Sequence, residues 1–129
     1  MQKKKILLID DEKDFCELLK DNLETIGDFE VEYALSGREG IKLARKLMPH
    51  VILLDVLMSH MSGLEVQKRL KSDDETLQIP IIMLSTEGDD MTKIRSAELY
   101  SDLYVTKPVD IKELKTKIDT VLSRRRGVR

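Results

Sequence analysis

Five side chains, scattered along the sequence, have the types and settings to share one piece of chemistry. They are the adjacent carboxylates of Asp10 and Asp11, the carboxylate of Asp55, the hydroxyl of Ser85 and the ammonium of Lys107. Each stands at or just beyond the end of a short strand-like run: KILLID, VILLD, IIML and DLYV. In open α/β sheets, ligands gather outside the carboxyl ends of the strands. Neighbouring strands lie about 5 Å apart, so acids ending adjacent strands would face each other. Two like charges about 4 Å apart repel by roughly 4 kcal/mol at an effective dielectric near 20, and three carboxylates in one pocket therefore call for a cation. Oxygen donors without a Cys or His pair select a hard ion, Mg²⁺. With Lys107 reaching in from the far side and Ser85 offering a hydroxyl, the set suits a phosphoryl group. No GxxxxGK[ST] cradle is present, so a nucleotide is not the expected bound form. The protein itself would carry the phosphoryl group, with a carboxylate as nucleophile.

The elements that must position these groups follow from hydrophobic patterning. Val51–Leu54 is apolar at every position before Asp55 and a flexible loop to Gly63. Such a run predicts a strand covered on both faces of a parallel sheet. Lys5–Asp10 and Ile81–Leu84, introduced by Pro80, have the same character. Glu30–Leu35 alternates instead, with Val31, Tyr33 and Leu35 on one face, and is expected near a sheet edge. Asp102–Val105 is a short fifth strand. Helical spacing links Phe15, Leu18, Leu19, Leu23 and Ile26, with Gly27 as the stop. A second stripe comprises Ile41, Ala44, Leu47 and Met48, capped by Ser36 and ended by Pro49. A third, after Gly63, uses Leu64, Val66 and Leu70. A weaker helix is expected from Asp89 or Asp90, with Met91, Ile94 and Ala97. The last is capped by Asp110 and carries Ile111, Leu114, Ile118, Val121 and Leu122. Five strands alternating with five helices predict an α/β, doubly wound parallel sheet. Right-handed crossovers and central placement of the all-apolar strands give the flavodoxin-like order 2-1-3-4-5, with strands 1 and 3 adjacent where the winding reverses.

At 129 residues the chain is expected to form one domain over residues 1–123, with a core that needs no disulfides. Residues 124–129 read as a basic solvated tail or the start of a linker. Its composition, 41% hydrophobic and 36% charged, is that of a globular chain, and no apolar run is long enough to span a bilayer. The single Cys16, on a helical stripe, suggests packing, and a cytoplasmic setting is the natural expectation. Net charge is −2, yet of the 22 basic residues Lys3, Lys4, Lys5, Arg124, Arg125, Arg126 and Arg129 lie at the ends. The body is therefore strongly acidic, which argues against direct nucleic-acid binding by the domain.

Taken together, the pair Asp10-Asp11, Asp55, Gly63 eight residues later, Ser85 and Lys107-Pro108 resemble a response-regulator receiver domain, the phosphoacceptor half of two-component signalling, from about Lys4 to Ser123. The resemblance implies that Asp55 takes a phosphoryl group from a sensor kinase's phosphohistidine. It also implies that Asp10, Asp11, Asp55 and the backbone carbonyl of Leu57 hold Mg²⁺, and that Lys107 pairs with the phosphate beside a cis Lys107–Pro108 bond. Ser85 and Tyr104 fall on the family's switch positions. Their movement would reshape the face made by the helix beginning near Asp89, the fifth strand and the last helix, a surface for partners or for homodimerisation. The chain departs from the family's usual pattern at Ser59, where proline is common, at Thr86, where a small residue is usual, and at Tyr100-Ser101, in place of Gly-Ala.

Simpler readings exist for single residues. Asp10 could cap the first helix, with Asp11 and Glu12 favouring its dipole; none of this accounts for Asp55. Tyr104 could be an ordinary half-buried edge residue, and His50 and His60 read as surface histidines. Among whole-protein alternatives, a Mg²⁺-dependent phosphohydrolase using Asp55 would usually need a second acid two residues later, where Leu57 stands. A flavin binder is disfavoured because three acids repel the cofactor's phosphate.

Overall fold

The computed structural model describes residues 2–86 and 103–127, with side chains to residue 124. The strands are β1 (Lys4–Ile9), β2 (Phe29–Ala34), β3 (Val51–Asp55), β4 (Ile81–Thr86) and β5 (Leu103–Lys107). They form a single parallel sheet in the order β2-β1-β3-β4-β5. Four helices lie among the described residues: α1 (Lys13–Ile26), α2 (Gly37–Leu47), α3 (Gly63–Lys71) and α4 (Ile111–Gly127). The helix expected from Asp89 or Asp90 falls outside the described residues.

Side-chain alternation along β1, β3 and β4 explains why those strands are apolar throughout. Ile6, Leu8, Val51, Leu53, Ile82 and Leu84 face one layer, packed with Cys16, Leu19 and Leu23 of α1 and Leu114, Ile118 and Val121 of α4. Leu7, Ile9, Ile52, Leu54, Ile81 and Met83 face the other, against Ala44 of α2 and Val66 and Leu70 of α3. Successive residues thus enter opposite cores, and no polar side chain fits until the strands end. α2 lies close to β1 because Gly40 leaves room: a Cβ there would come 2.5 Å from the Ile9 side chain.

Ser36 caps α2 through the Glu39 N–H, and Asp110 accepts from the backbone N–H groups of Lys112 and Glu113 at the start of α4. Ser62 also caps α3, by accepting from Glu65 N–H. The first helix starts differently from the simplest expectation. Glu12 is its N-cap residue and makes no side-chain cap bond, while Asp10 Oδ1 accepts the Glu12 N–H in a local turn.

Three assignments to an apolar face shift. Leu18 is 61% exposed, because α1 turns it away from the core that Cys16 and Leu19 enter. β2 ends at Ala34, which is buried, and leaves Leu35 beyond the strand and exposed. Pro49 disfavours helical geometry at the residue before it; Met48 adopts a left-handed conformation (φ 46°) and points into solvent. Gly27 stops α1 as expected, in extended geometry, and its lack of a Cβ makes space for the Phe29 ring. The last helix also runs past the expected boundary at Ser123 to Gly127, so the backbone of Arg124–Arg126 is helical. Arginine is a good helix former, and positive charge favours a helix carboxyl end.

Candidate functional site

The chain leaves β1 at Ile9 and β3 at Asp55, and the pairing of these strands sets Ile9 beside Leu54. Asp10 and Asp55 therefore emerge next to each other at the carboxyl edge of the sheet. One oxygen from each of Asp10, Asp11 and Asp55 lies within 4.8 Å of the others. Asp10 is fully buried and Asp55 is 5% exposed; Asp11 is the acid more open to solvent. Its Oδ2 accepts the Ser59 N–H at 2.9 Å, which ties the first helix's entry to the loop after β3.

Lys107 ends β5 and reaches across β4 to the acids. Its Nζ lies 2.7 Å from Asp10 Oδ2 and 3.7 Å from Asp55 Oδ1. The adjoining Lys107–Pro108 peptide is cis. Ser85, on β4, is buried one residue beyond Leu84, the residue paired with Asp55. Tyr104 of β5 pairs with Met83 and is 38% exposed. Leu57 stands on the loop after β3 with an exposed side chain.

That loop closes tightly. Val56 N–H donates to Leu84 O, and Gly63 N–H donates back to Val56 O at 2.8 Å. A Cβ at Gly63 would lie 1.9 Å from the Asp55 carbonyl oxygen, so only glycine can begin α3 this close to the strand end. Gly63 thus ends the loop by letting two backbone segments approach. His60, in the same loop, has φ 69°. With Ser36, Gly37, Arg38, Ser59 and Met61 it lines a cleft of about 380 Å³ beside the site.

The electrostatics show an acid cluster short of positive charge. Burial, then the Asp10 carboxylate, push Asp55 up to about 7, and the attraction of Lys107 offsets this only partly. Burial alone would lower the pKa of Lys107, but its hydrogen bond to Asp10 and the charge of Asp55 leave it raised, and the lysine stays cationic. Burial and the charge of Asp10 push the Cys16 thiol up to about 12. That residue is a packing group whose Sγ donates to Asp10 O at 3.4 Å.

The donor set fits a small hard cation. Three carboxylate oxygens gathered at one sheet edge, with no sulfur or imidazole among them, are the donors that Mg²⁺ takes. A divalent ion there would also supply the charge that the Asp55 pKa shows to be missing. Two contacts escaped sequence reading. Glu12 Oε1 lies 3.3 Å from Lys107 Nζ, and the Phe15 ring centroid lies 4.3 Å from it. Nothing local in the sequence links Glu12, a partner for the helix dipole, or Phe15, a stripe residue, to a lysine more than ninety residues away. Leu18, with Phe15, Leu19, Pro108 and Val109, lines a groove of about 450 Å³ that opens beside Lys107.

Comparison with known proteins agrees with this geometry. A family model described as the response regulator receiver domain matches residues 6–119. The chain is 36% identical over 120 residues to the DNA-binding dual master transcriptional regulator RpaA of Synechocystis, covering 93% of this chain and 49% of that protein. It is 37% identical over 121 residues to the alkaline phosphatase synthesis transcriptional regulatory protein PhoP of Bacillus subtilis, covering 94% and 49%. The chain thus spans about half the length of these relatives. Among solved structures, a response regulator receiver domain protein from Clostridium thermocellum superposes with a TM-score of 0.88 at 28% identity, covering 98% of this chain and 99% of that one. Among the described residues no helix is long and apolar enough to cross a membrane.

Proposed function

This chain belongs to the response regulator receiver domain family, and from that premise we propose that Asp55 accepts a phosphoryl group from the phosphohistidine of a sensor kinase. The observation that carries the reading is the meeting of Asp55 with Asp10, Asp11 and Lys107 at one sheet edge. In the transfer, an Asp55 carboxylate oxygen attacks phosphorus. The O–P bond forms as the N–P bond breaks, and the imidazole nitrogen keeps the electron pair. Asp55 must be ionised to attack, so the factors that hold its pKa near 7 have to be countered.

Asp10, Asp11, Asp55 and the Leu57 carbonyl would hold Mg²⁺. Bound there, the ion supplies positive charge that ionises the carboxylates and neutralises phosphoryl oxygens. Lys107 holds a further oxygen as a charged donor. Ser85, buried one residue beyond the level of Asp55, would turn its hydroxyl to the phosphoryl group, and Tyr104 would move with it. The surface so changed includes β5 and α4, where kinase-controlled partners or a second copy would dock. The domain works without binding nucleic acid itself, in a cytoplasmic setting. DNA binding, named for the Synechocystis relative, would belong to a separate output unit.

Incubation with acetyl phosphate and Mg²⁺, followed by intact mass measurement, tests the reading. One phosphoryl group should be added to the wild type and none to Asp55→Asn. Steady turnover of phosphomonoesters without a trapped intermediate would instead indicate a phosphohydrolase.

A further inference from the structure

Glu12 and Phe15 lie outside the acid pocket, yet both touch Lys107. The ammonium has three N–H donors. Asp10 takes one at 2.7 Å, and Glu12 takes another at 3.3 Å. Asp55 Oδ1, at 3.7 Å, is beyond hydrogen-bond distance. The Phe15 ring covers the ammonium at 4.3 Å. The two carboxylate partners differ sharply in setting: the Asp10 side chain is fully buried, while that of Glu12 is 67% exposed. Buried Asp10 would lose heavily if left without a partner, whereas Glu12 returns to water at little cost. The Glu12 carboxylate is also free of helix duty, since it makes no cap bond to α1.

We propose that Glu12 and Phe15 are positioning residues for Lys107. Phe15 keeps the ammonium turned toward the pocket in both states, and Glu12 is the partner that Lys107 releases when a phosphoryl oxygen arrives on Asp55. This rests on Asp55 as the phosphoacceptor. The ring attracts the cation through its negative face without occupying an N–H donor. It can therefore stay while the hydrogen bonds are exchanged. Glu12 competes with the incoming oxygen for one donor, so its charge opposes the phosphorylated state.

The test is beryllofluoride binding, a mimic of the phosphoryl group, in saturating Mg²⁺. Glu12→Gln should tighten binding by about two- to fivefold, the range expected of an exposed ion pair. Phe15→Leu should weaken it by a similar factor, as expected for loss of a cation–π contact. Both effects should vanish in a Lys107→Met background, because a positioning residue acts only through the group it positions. Glu12 is exposed, so Glu12→Gln gives a readable answer even if Phe15→Leu folds poorly. A metal-free readout is independent of phosphoryl chemistry: the Lys107 ε-methylene protons should show an upfield ring-current shift that Phe15→Leu removes. Unchanged or weaker binding in Glu12→Gln, or effects that persist without Lys107, would overturn the proposal while leaving Asp55 as acceptor. Failure of the wild type to bind beryllofluoride at all would overturn both.

Discussion

Strands β1 and β3 run side by side, and ionisable groups sit at both of their ends with opposite consequences. At the carboxyl end, Asp10, Asp11, Asp55 and Lys107 arrive from three strand ends and meet in one pocket, with Asp10 and Asp55 buried. At the amino end, His50 donates its backbone N–H to Lys5 O and accepts the Lys5 N–H at its Nδ1, each at 2.9 Å. The acid end holds a carboxyl group pushed up to about 7. At the histidine end, partial burial and the nearby Lys4 charge hold the imidazole below its ordinary range. Both ends hold a group with a shifted pKa, but only the acid end brings side chains from three strand ends into one pocket. A shifted pKa alone does not mark a site; convergence of unlike groups in a buried pocket does.

The largest test of the contrast is steric. Gly63→Ala forces a Cβ against the Asp55 carbonyl oxygen, a backbone atom that cannot swing aside. Urea unfolding should show a loss of about 3 kcal/mol, greater than any single substitution at His50 produces. Equal losses at both ends would remove the claim that the acid end is the tightly specified one.

The next largest concerns Asp55 itself. Its pKa is raised in the fold, so the folded state binds the extra proton between about pH 4 and 7. Stability is therefore fullest below the unfolded pKa and falls as pH rises through about 7. Asp55→Asn should stabilise the metal-free protein at pH 8 by about 2 kcal/mol and remove that slope. Mg²⁺ added to the wild type should stabilise it as well, by binding the folded pocket, and chelation should reverse the gain. A metal-free wild type as stable as Asp55→Asn at pH 8 would show that the acids are not in conflict.

The same contrast explains what could be read from the sequence. The acid end was legible because its chemistry falls where uninterrupted apolar runs stop, and strand order follows from which runs are apolar on both faces. Asp10, Asp11, Asp55 and Lys107 come together as that logic requires. Contacts set by helix rotation were not legible. Leu18 and Phe15 share a stripe with Leu19, yet Leu18 is exposed, and Phe15 reaches Lys107. A periodic pattern fixes a face to within a residue or so, and the edge of that face is where function entered. Gly40 and Gly63 likewise serve close approaches that become visible only when Ile9 and Asp55 are in place. His50 is exposed, as expected of a surface histidine, and only its bond to the Lys5 N–H, 45 positions away, was not legible.

The smallest effect lies at that histidine and runs in the opposite direction. A Lys5 N–H aimed at Nδ1 needs the lone pair of the neutral ring. The folded state therefore resists protonation of His50, while the unfolded chain takes its proton near pH 6.5. Its contribution is fully present above pH 6.5 and is lost as pH falls below that value. Because the ring is largely exposed, the contribution should be only about 0.5 kcal/mol. Glu24 and Asp73 have lowered pKa values, so their contributions fade only below the ordinary carboxylate range and leave pH 5 to 7 clear. In metal-free Asp55→Asn, stability should consequently rise gently from pH 5 to 7. In His50→Leu it should fall over the same interval, and in the double variant it should be flat. A remaining rise in the double variant would move the amino-end effect away from His50, and a remaining fall would place the acid-end titration on a carboxylate other than Asp55.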